Sequence, residues 1–233
     1  ANVNPQDSEF ESFINGTGNL FNIDPLLVDP DNGDYHLSDY SPCIGAGNLD
    51  GTPDTDIEGN PRPNPEGSSP DMGAYENTLG TPLHNSLIYV STDGTDEGSV
   101  GEENAPFATI QAAIDYSWNG DTIMVSAGTY DGNINFGLIN ISLIGEGAET
   151  TTISYDGQSG SVLIFQGGQD TTTVISGFTI TGGSSNYGGG IFCESSSPLL
   201  TDLIIKDNYS SNQGGGLYIF GTSSPIIKNT IIK

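Results

Sequence analysis

The sequence predicts an all-β fold, a right-handed, single-stranded parallel β-helix (a solenoid) with a short N-terminal capping helix, plus a loop-rich terminal region. Three observations carry that expectation. Short apolar runs ended by Gly, Asn or Asp fill the second half of the chain, three markers recur there in a constant order about 26 residues apart, and one stretch alone has helical periodicity.

Composition agrees with many short strands and tight turns. Of 233 residues 34 % are hydrophobic, while 33 are Gly and 13 Pro, and the chain is long enough to bury a core. The clean Ile, Val, Leu and Phe runs after Thr122 argue against disorder. Thirty acidic residues against four basic ones (Arg62, Lys206, Lys228, Lys233) give a net charge of −26. A surface this negative repels nucleic acid and anionic membranes, attracts divalent cations and suits a saline or calcium-rich exterior. No apolar stretch approaches 18 residues, so no membrane insertion is expected. Cys43 and Cys193 lie far apart beside apolar neighbours and form no C-x-x-C pair. They are expected as small buried hydrophobes, and whether they pair is open.

Residues 1–80 carry short apolar fragments, Leu26-Leu27-Val28 and Tyr35-His36-Leu37 among them, split by turn clusters such as Asp29-Pro30-Asp31-Asn32-Gly33. Residues 81–86 read as a linker. Leu87–Val90 is a predicted strand, and Phe107, Ile110, Ala113 and Ile114 have the spacing of one amphipathic helix over about 106–117, with Pro106 near its start and Gly120 after its end. Strands follow at 122–125, 141–144, 152–155, 162–165, 174–175 and 178–180, with no second helix.

The repeat decides between a sandwich and a solenoid. Gly188-Gly-Gly-Ile191 recurs as Gly214-Gly-Gly-Leu217, Ser197-Pro198 as Ser224-Pro225, and Phe178-Thr-Ile180 as Leu203-Ile-Ile205 and Thr230-Ile-Ile232. Such a period is too short for a propeller blade and holds no helix for a horseshoe repeat. In a parallel coil each strand pairs with its equivalent about 4.8 Å away, inward aliphatics stack on their like, and Gly and Asn take the corners. An open coil end is a sticky sheet edge, and the helix near 106–117 is placed to cover one.

Residues 87–183 resemble the N-terminal part of secreted pectin-lyase-like β-helix proteins. The similar stretches are Ile88-Tyr-Val-Ser91, Asn104 to Ile114, Gly120-Asp-Thr-Ile-Met-Val125 and Ala127-Gly-Thr-Tyr130. Residues 22–76 resemble the C-terminal region called choice-of-anchor Q, through Asp24 to Asp29, Asn32-Gly-Asp-Tyr-His-Leu37, Ser41-Pro-Cys-Ile-Gly-Ala-Gly47 and Asp71-Met-Gly-Ala-Tyr-Glu76. The resemblance implies a β-helix and export to the cell surface or medium. It implies no single activity, since this fold carries lyases, hydrolases, adhesins and fibres.

In such proteins the helix-capped start comes first and the anchor-Q-like region last, whereas here the order is reversed. Joining the ends runs Ile231-Ile232-Lys233 into Ala1-Asn-Val-Asn-Pro-Gln-Asp7, an unbroken coil leading into the loop before Asp24. Both ends are therefore expected to be cut from something longer. The chain reads as a window on a tandem array or polymer of one module, running from about 83 to 233 and then 1 to 82. A fragment spanning two different modules is the alternative.

Candidate chemistry is sparse. A lyase of this fold needs clustered cations, and the four basic residues do not cluster in sequence. Glu194, Asp202 and Asp207 lie on adjoining coils and are the acids a glycoside hydrolase would draw on, with His36 and His84 the sole imidazoles. Calcium is the expected ion, with Asp50, Asp54, Asp56 and Glu58 as ligands in one loop, and a second acidic loop holds Asp93, Asp96, Glu97, Glu102 and Glu103. Solvated turns are the plainer reading of both. Tyr187, Tyr209 and Tyr218 either stack on sugars or pack between coils, and sequons occur at Asn15, Asn140 and Asn208. The expectation is a non-enzymatic, secreted structural module of a fibre, sheath or adhesin stalk, with copies of itself as partner. A carbohydrate-active or glycan-binding β-helix is the alternative.

Overall fold

The computed structural model describes Leu20 and residues 25–233. Asp24, Asn15 and the Ala1–Asp7 side of the proposed seam lie outside the described residues. The chain divides into two compact units between His84 and Asn85. The described residues of unit 1 hold one antiparallel pair, β1 (Leu27–Asp29) with β2 (Asp34–Leu37), in register Leu27 to Leu37. A 3-10 turn at Pro30–Asn32 joins them, ended by Gly33 at φ 85° and held by the Asn32 amide donating to the Asp29 carboxylate at 2.8 and 3.0 Å. The other described residues of unit 1 are turns and loops.

Unit 2 is a parallel β-helix of stacked coils. It opens with β3 (Leu87–Val90) and its α-helix, α1 (Ile110–Tyr116), the sole α-helix among the described residues. The first full coil is β4 (Thr122–Val125), β5 (Gly128–Asp131) and β6 (Ile134–Asn135), and the second is β7 (Ser142–Gly145), β8 (Thr151–Ser154) and β9 (Leu163–Phe165). The third is β10 (Val174–Ser176), β11 (Thr179–Thr181), β12 (Ser184–Tyr187) and β13 (Ile191–Glu194). The fourth is β14 (Leu199–Thr201), β15 (Ile204–Ile205), β16 (Tyr209–Gln213) and β17 (Leu217–Phe220), and the last rung is β18 (Ile226–Lys228) with β19 (Ile231–Ile232). Three sheets run along the axis, ordered β3-β4-β7-β10-β14-β18, β5-β8-β11-β15-β19 and β6-β9-β13-β17, with β12-β16 as a further pair.

The repeat spacing is the sheet register. Ile191 pairs with Leu217, Leu199 with Ile226, and Thr179 with Ile204 and then Ile231, matching each repeated marker. Because alternate side chains point to one face, this register builds unbroken columns. Ile88, Ile123, Leu143, Ile175 and Leu200 form one, and Tyr130, Ile153, Ile180 and Ile205 another, all buried. In the third sheet the rings of Phe136 and Phe165 stack at 4.5 Å, with Cys193 beside them in register.

Corners follow from the same repeat. The residue after the first-sheet strand is left-handed in three successive coils, at Gly177 (φ 79°), Asp202 (φ 55°) and Asn229 (φ 46°). There the Gly177 amide donates to the Asp202 carbonyl and the Asp202 amide to the Lys228 carbonyl, so the ladder turns the corner intact. Gly189 and Gly190 pass so near the next coil that a Cβ would run into the Tyr209 and Gly216 carbonyls.

Helix α1 begins at Ile110, later than its apolar spacing indicates, because Thr109 is extended (φ −118°, ψ 147°) and caps it, accepting from the Ala112 amide. Its Ile110, Ala113 and Ile114 join Phe107 in the core of the first coils. Gln111 and Asn135 exchange amide hydrogen bonds at 2.9 and 3.1 Å, holding α1 to β6. No helix among the described residues is long and apolar enough to cross a membrane.

Candidate functional site

The acidic loop of unit 1 resolves into a hydrogen-bonded knot. The Asp56 carboxylate accepts from the backbone amides of Glu58, Asn60 and Glu76 and from the Asn60 side chain, at 2.8–3.1 Å. Burial alone pushes its pKa up, but these four donors outweigh that and hold it at about 2. Glu76, wholly buried, pairs with the Arg62 Nε at 2.6 Å and accepts from the amides of Asn64 and Asp71. Asp71 in turn accepts from the amides of Gly45 and Asn77, while burial raises its pKa.

Of the four acids expected as calcium ligands, Asp56 is thus taken up by the backbone, and Glu58 meets the His36 Nε2 at 3.2 Å. His36 also contacts Asp34 at 2.6 Å and lies over the Tyr75 ring at 4.1 Å, and its two acid partners raise its pKa. Asp50 and Asp54 join no common site with them: no group of three or more His, Cys, Asp or Glu among the described residues is arranged to hold a metal ion. In the second loop Asp96 accepts from the amides of Ala108 and Thr109 and the Thr109 hydroxyl, which anchors the start of α1. The Arg62–Glu76 pair, 14 residues apart in the chain, had no signal in the sequence beyond the two residue types.

The acids weighed for hydrolysis are spread around the coil. Glu194 ends β13 in the third sheet and accepts from Gln166, Asp202 occupies the corner after β14, and Asp207 (φ 54°) the corner after β15. Asn140 and Asn208 are coil staples. The Asn140 side-chain Oδ1 accepts from the Asp170 backbone amide and the Thr173 hydroxyl, and the Asn208 side-chain Nδ2 donates to the Ile180 and Lys206 carbonyls. Cys193 is buried, which raises its thiol pKa, and Cys43 is half-buried; no disulfide joins the two.

The core columns run on in register through the last coil, Leu200 to Ile227, Ile205 to Ile232 and Cys193 to Ile219. On the flank, the Tyr218 ring gathers three others, Tyr187 at 5.0 Å, Phe192 at 5.8 Å and Phe220 at 6.2 Å.

No curated protein and no solved structure matches the chain. Residues 92–233, covering β4 to β19 and the helix before them, match the family described as protein of unknown function (DUF1565), and the chain belongs to that family.

Proposed function

We propose that the chain is a secreted structural module, repeated along an extracellular fibre, sheath or adhesin stalk, in which the β-helix of one copy is continued by the next. The observation that carries this reading is the register of the coils. Leu200 pairs with Ile227, Ile205 with Ile232 and Cys193 with Ile219, so three sheets repeat along one axis and any coil that keeps the period can extend them. At the first coils Ile110, Ala113 and Ile114 of α1 join the same core. The resemblance to secreted pectin-lyase-like proteins and to choice-of-anchor Q regions supports a place outside the cell, and the reversed order of those regions supports a repeat.

Sedimentation velocity and negative-stain microscopy test the proposal. The wild-type chain is expected to form unbranched polymers at high concentration, and Ile227→Asp with Ile232→Asp to leave monomers with an unchanged circular dichroism spectrum. A wild-type chain that stays monomeric at every concentration, together with native protein whose peptides never join Lys233 to Ala1, refutes it.

A further inference from the structure

The third and fourth coils carry strands that the earlier coils lack. β12 and β16 pair in parallel, Ser184 with Tyr209 and Ser185 with Ser210, as a short two-stranded wall between the second-sheet and third-sheet strands of those coils. Their side chains, Ser-Ser-Asn-Tyr and Tyr-Ser-Ser-Asn-Gln, contain no charge, and none occurs from Gly182 to Cys193 or from Asn208 to Ile227. In a chain of net charge −26 this is a broad uncharged surface. Hydroxyl-to-amide bonds stiffen it, Ser210 to the Asn186 carbonyl and Ser211 to the Asn186 side chain, both at 2.8 Å. The side-chain amides of Asn212 and Gln213 are exposed on β16.

Where the wall meets the sheet lies the aromatic cluster around Tyr218, whose outer members Tyr187 and Phe220 are exposed. Aromatic faces beside exposed amides and hydroxyls suit a ligand with apolar C–H faces and a hydroxyl rim. Charge then narrows the class. Glu194 lies in register with Phe220 on the same face, and no Lys or Arg lies within these stretches to neutralise an anion. Uronates, sulfated sugars and phosphates are therefore repelled, whereas an uncharged sugar pays no such penalty.

We propose that this wall and the Tyr187–Tyr218–Phe220 cluster form a lateral binding site for a neutral oligosaccharide. An array of neutral and anionic glycans, read with the folded 233-residue chain, tests it, followed by titration calorimetry of the best neutral hit. Tyr187→Ala and Tyr218→Ala are each expected to weaken that hit at least about tenfold, and Tyr187→Phe much less, with the melting temperature of Tyr187→Ala unchanged. Retention of no neutral glycan, preference for uronates, or affinity indifferent to both alanine variants overturns the proposal. So does a loss of self-association in Tyr187→Ala, which would make the cluster a contact between copies.

Discussion

In unit 2 a buried side chain is usually an aliphatic or aromatic group set over its equivalent in the next coil, whereas in unit 1 carboxylates take that place. Leu37 and Ile44 are the buried hydrophobics among unit 1's described residues, which also bury Asp56, Asp71, Glu76 and Ser41. The difference traces to periodicity. A repeat of about 26 residues lets backbone donors pair strand to strand, so the interior needs nothing but shape. The described residues of unit 1 form one short hairpin, and their loop amides must find acceptors elsewhere. Asp56, Asp71 and Glu76 accept seven backbone amides between them: Glu58, Asn60, Glu76, Gly45, Asn77, Asn64 and Asp71. They do for the loops what neighbouring coils do for strands.

Breaking each kind of core sharpens the comparison. Glu76→Ala strands the Arg62 guanidinium and two amides in a buried site, an expected cost of about 3–5 kcal/mol. That equals most of the stability of a small unit. Leu143→Ala empties one place in an aliphatic column and is expected to cost about 2–5 kcal/mol within the larger core. Trp118, the sole tryptophan, reports on unit 2, and hydrogen exchange over residues 41–77 reports on unit 1. Glu76→Ala should abolish exchange protection in unit 1 and leave the Trp118 transition in place; Leu143→Ala should do the reverse. Parallel loss of both signals in either variant would mean that the two cores are not separate.

Acid separates the units more gently. The Asp56 pKa is lowered to about 2, so its contribution is complete above the unfolded value near 4 and lost as pH falls from 4 towards 2. Asp34, lowered by His36, acts in the same direction. Asp71 is raised by burial and works against them, its stabilisation being present at low pH and lost as pH rises through its folded pKa. His36 is raised by Asp34 and Glu58, so its contribution is present below about 6.5 and fades above the folded value. Unit 1 should therefore lose exchange protection between pH 4 and 2, and Asp56→Asn should flatten that slope. A wild-type profile that is level from pH 4 to 2 would show that the knot is not titrating.

The solenoid was legible because its cause is a repeat, and a repeat is a property of sequence. Gly188 and Gly214, or Ile180, Ile205 and Ile232, announce their own register. β12 and β16 were not legible, since Ser-Ser-Asn-Tyr has no apolar alternation and becomes a strand through its partner one coil away. Helix α1 was visible in its apolar spacing, but its start depended on Asp96 and Thr109, which act through hydrogen bonds. The acids of unit 1 were visible as acids. Whether a carboxylate faces a cation or the backbone depends on how the loop closes around it, and for Asp56 it closes on amides.

The smallest effect is also the most exacting, because it turns on sign within unit 2. Thr151 and Thr179 are both buried on neighbouring strands of the second sheet, β8 and β11. The Thr179 hydroxyl donates to the Ala148 carbonyl at 2.6 Å, whereas the Thr151 hydroxyl has no partner among the described residues. Valine has nearly the same shape as threonine without the hydroxyl. Thr179→Val should lose about 1 kcal/mol with its hydrogen bond, while Thr151→Val should gain about 1 kcal/mol by removing a stranded polar group, a rise of about 2–4 °C in the Trp118-detected melting temperature. If unit 2 tolerates polarity only where its coils satisfy it, the two variants must move in opposite directions; a fall in both would mean that the Thr151 hydroxyl is held by something within the coil.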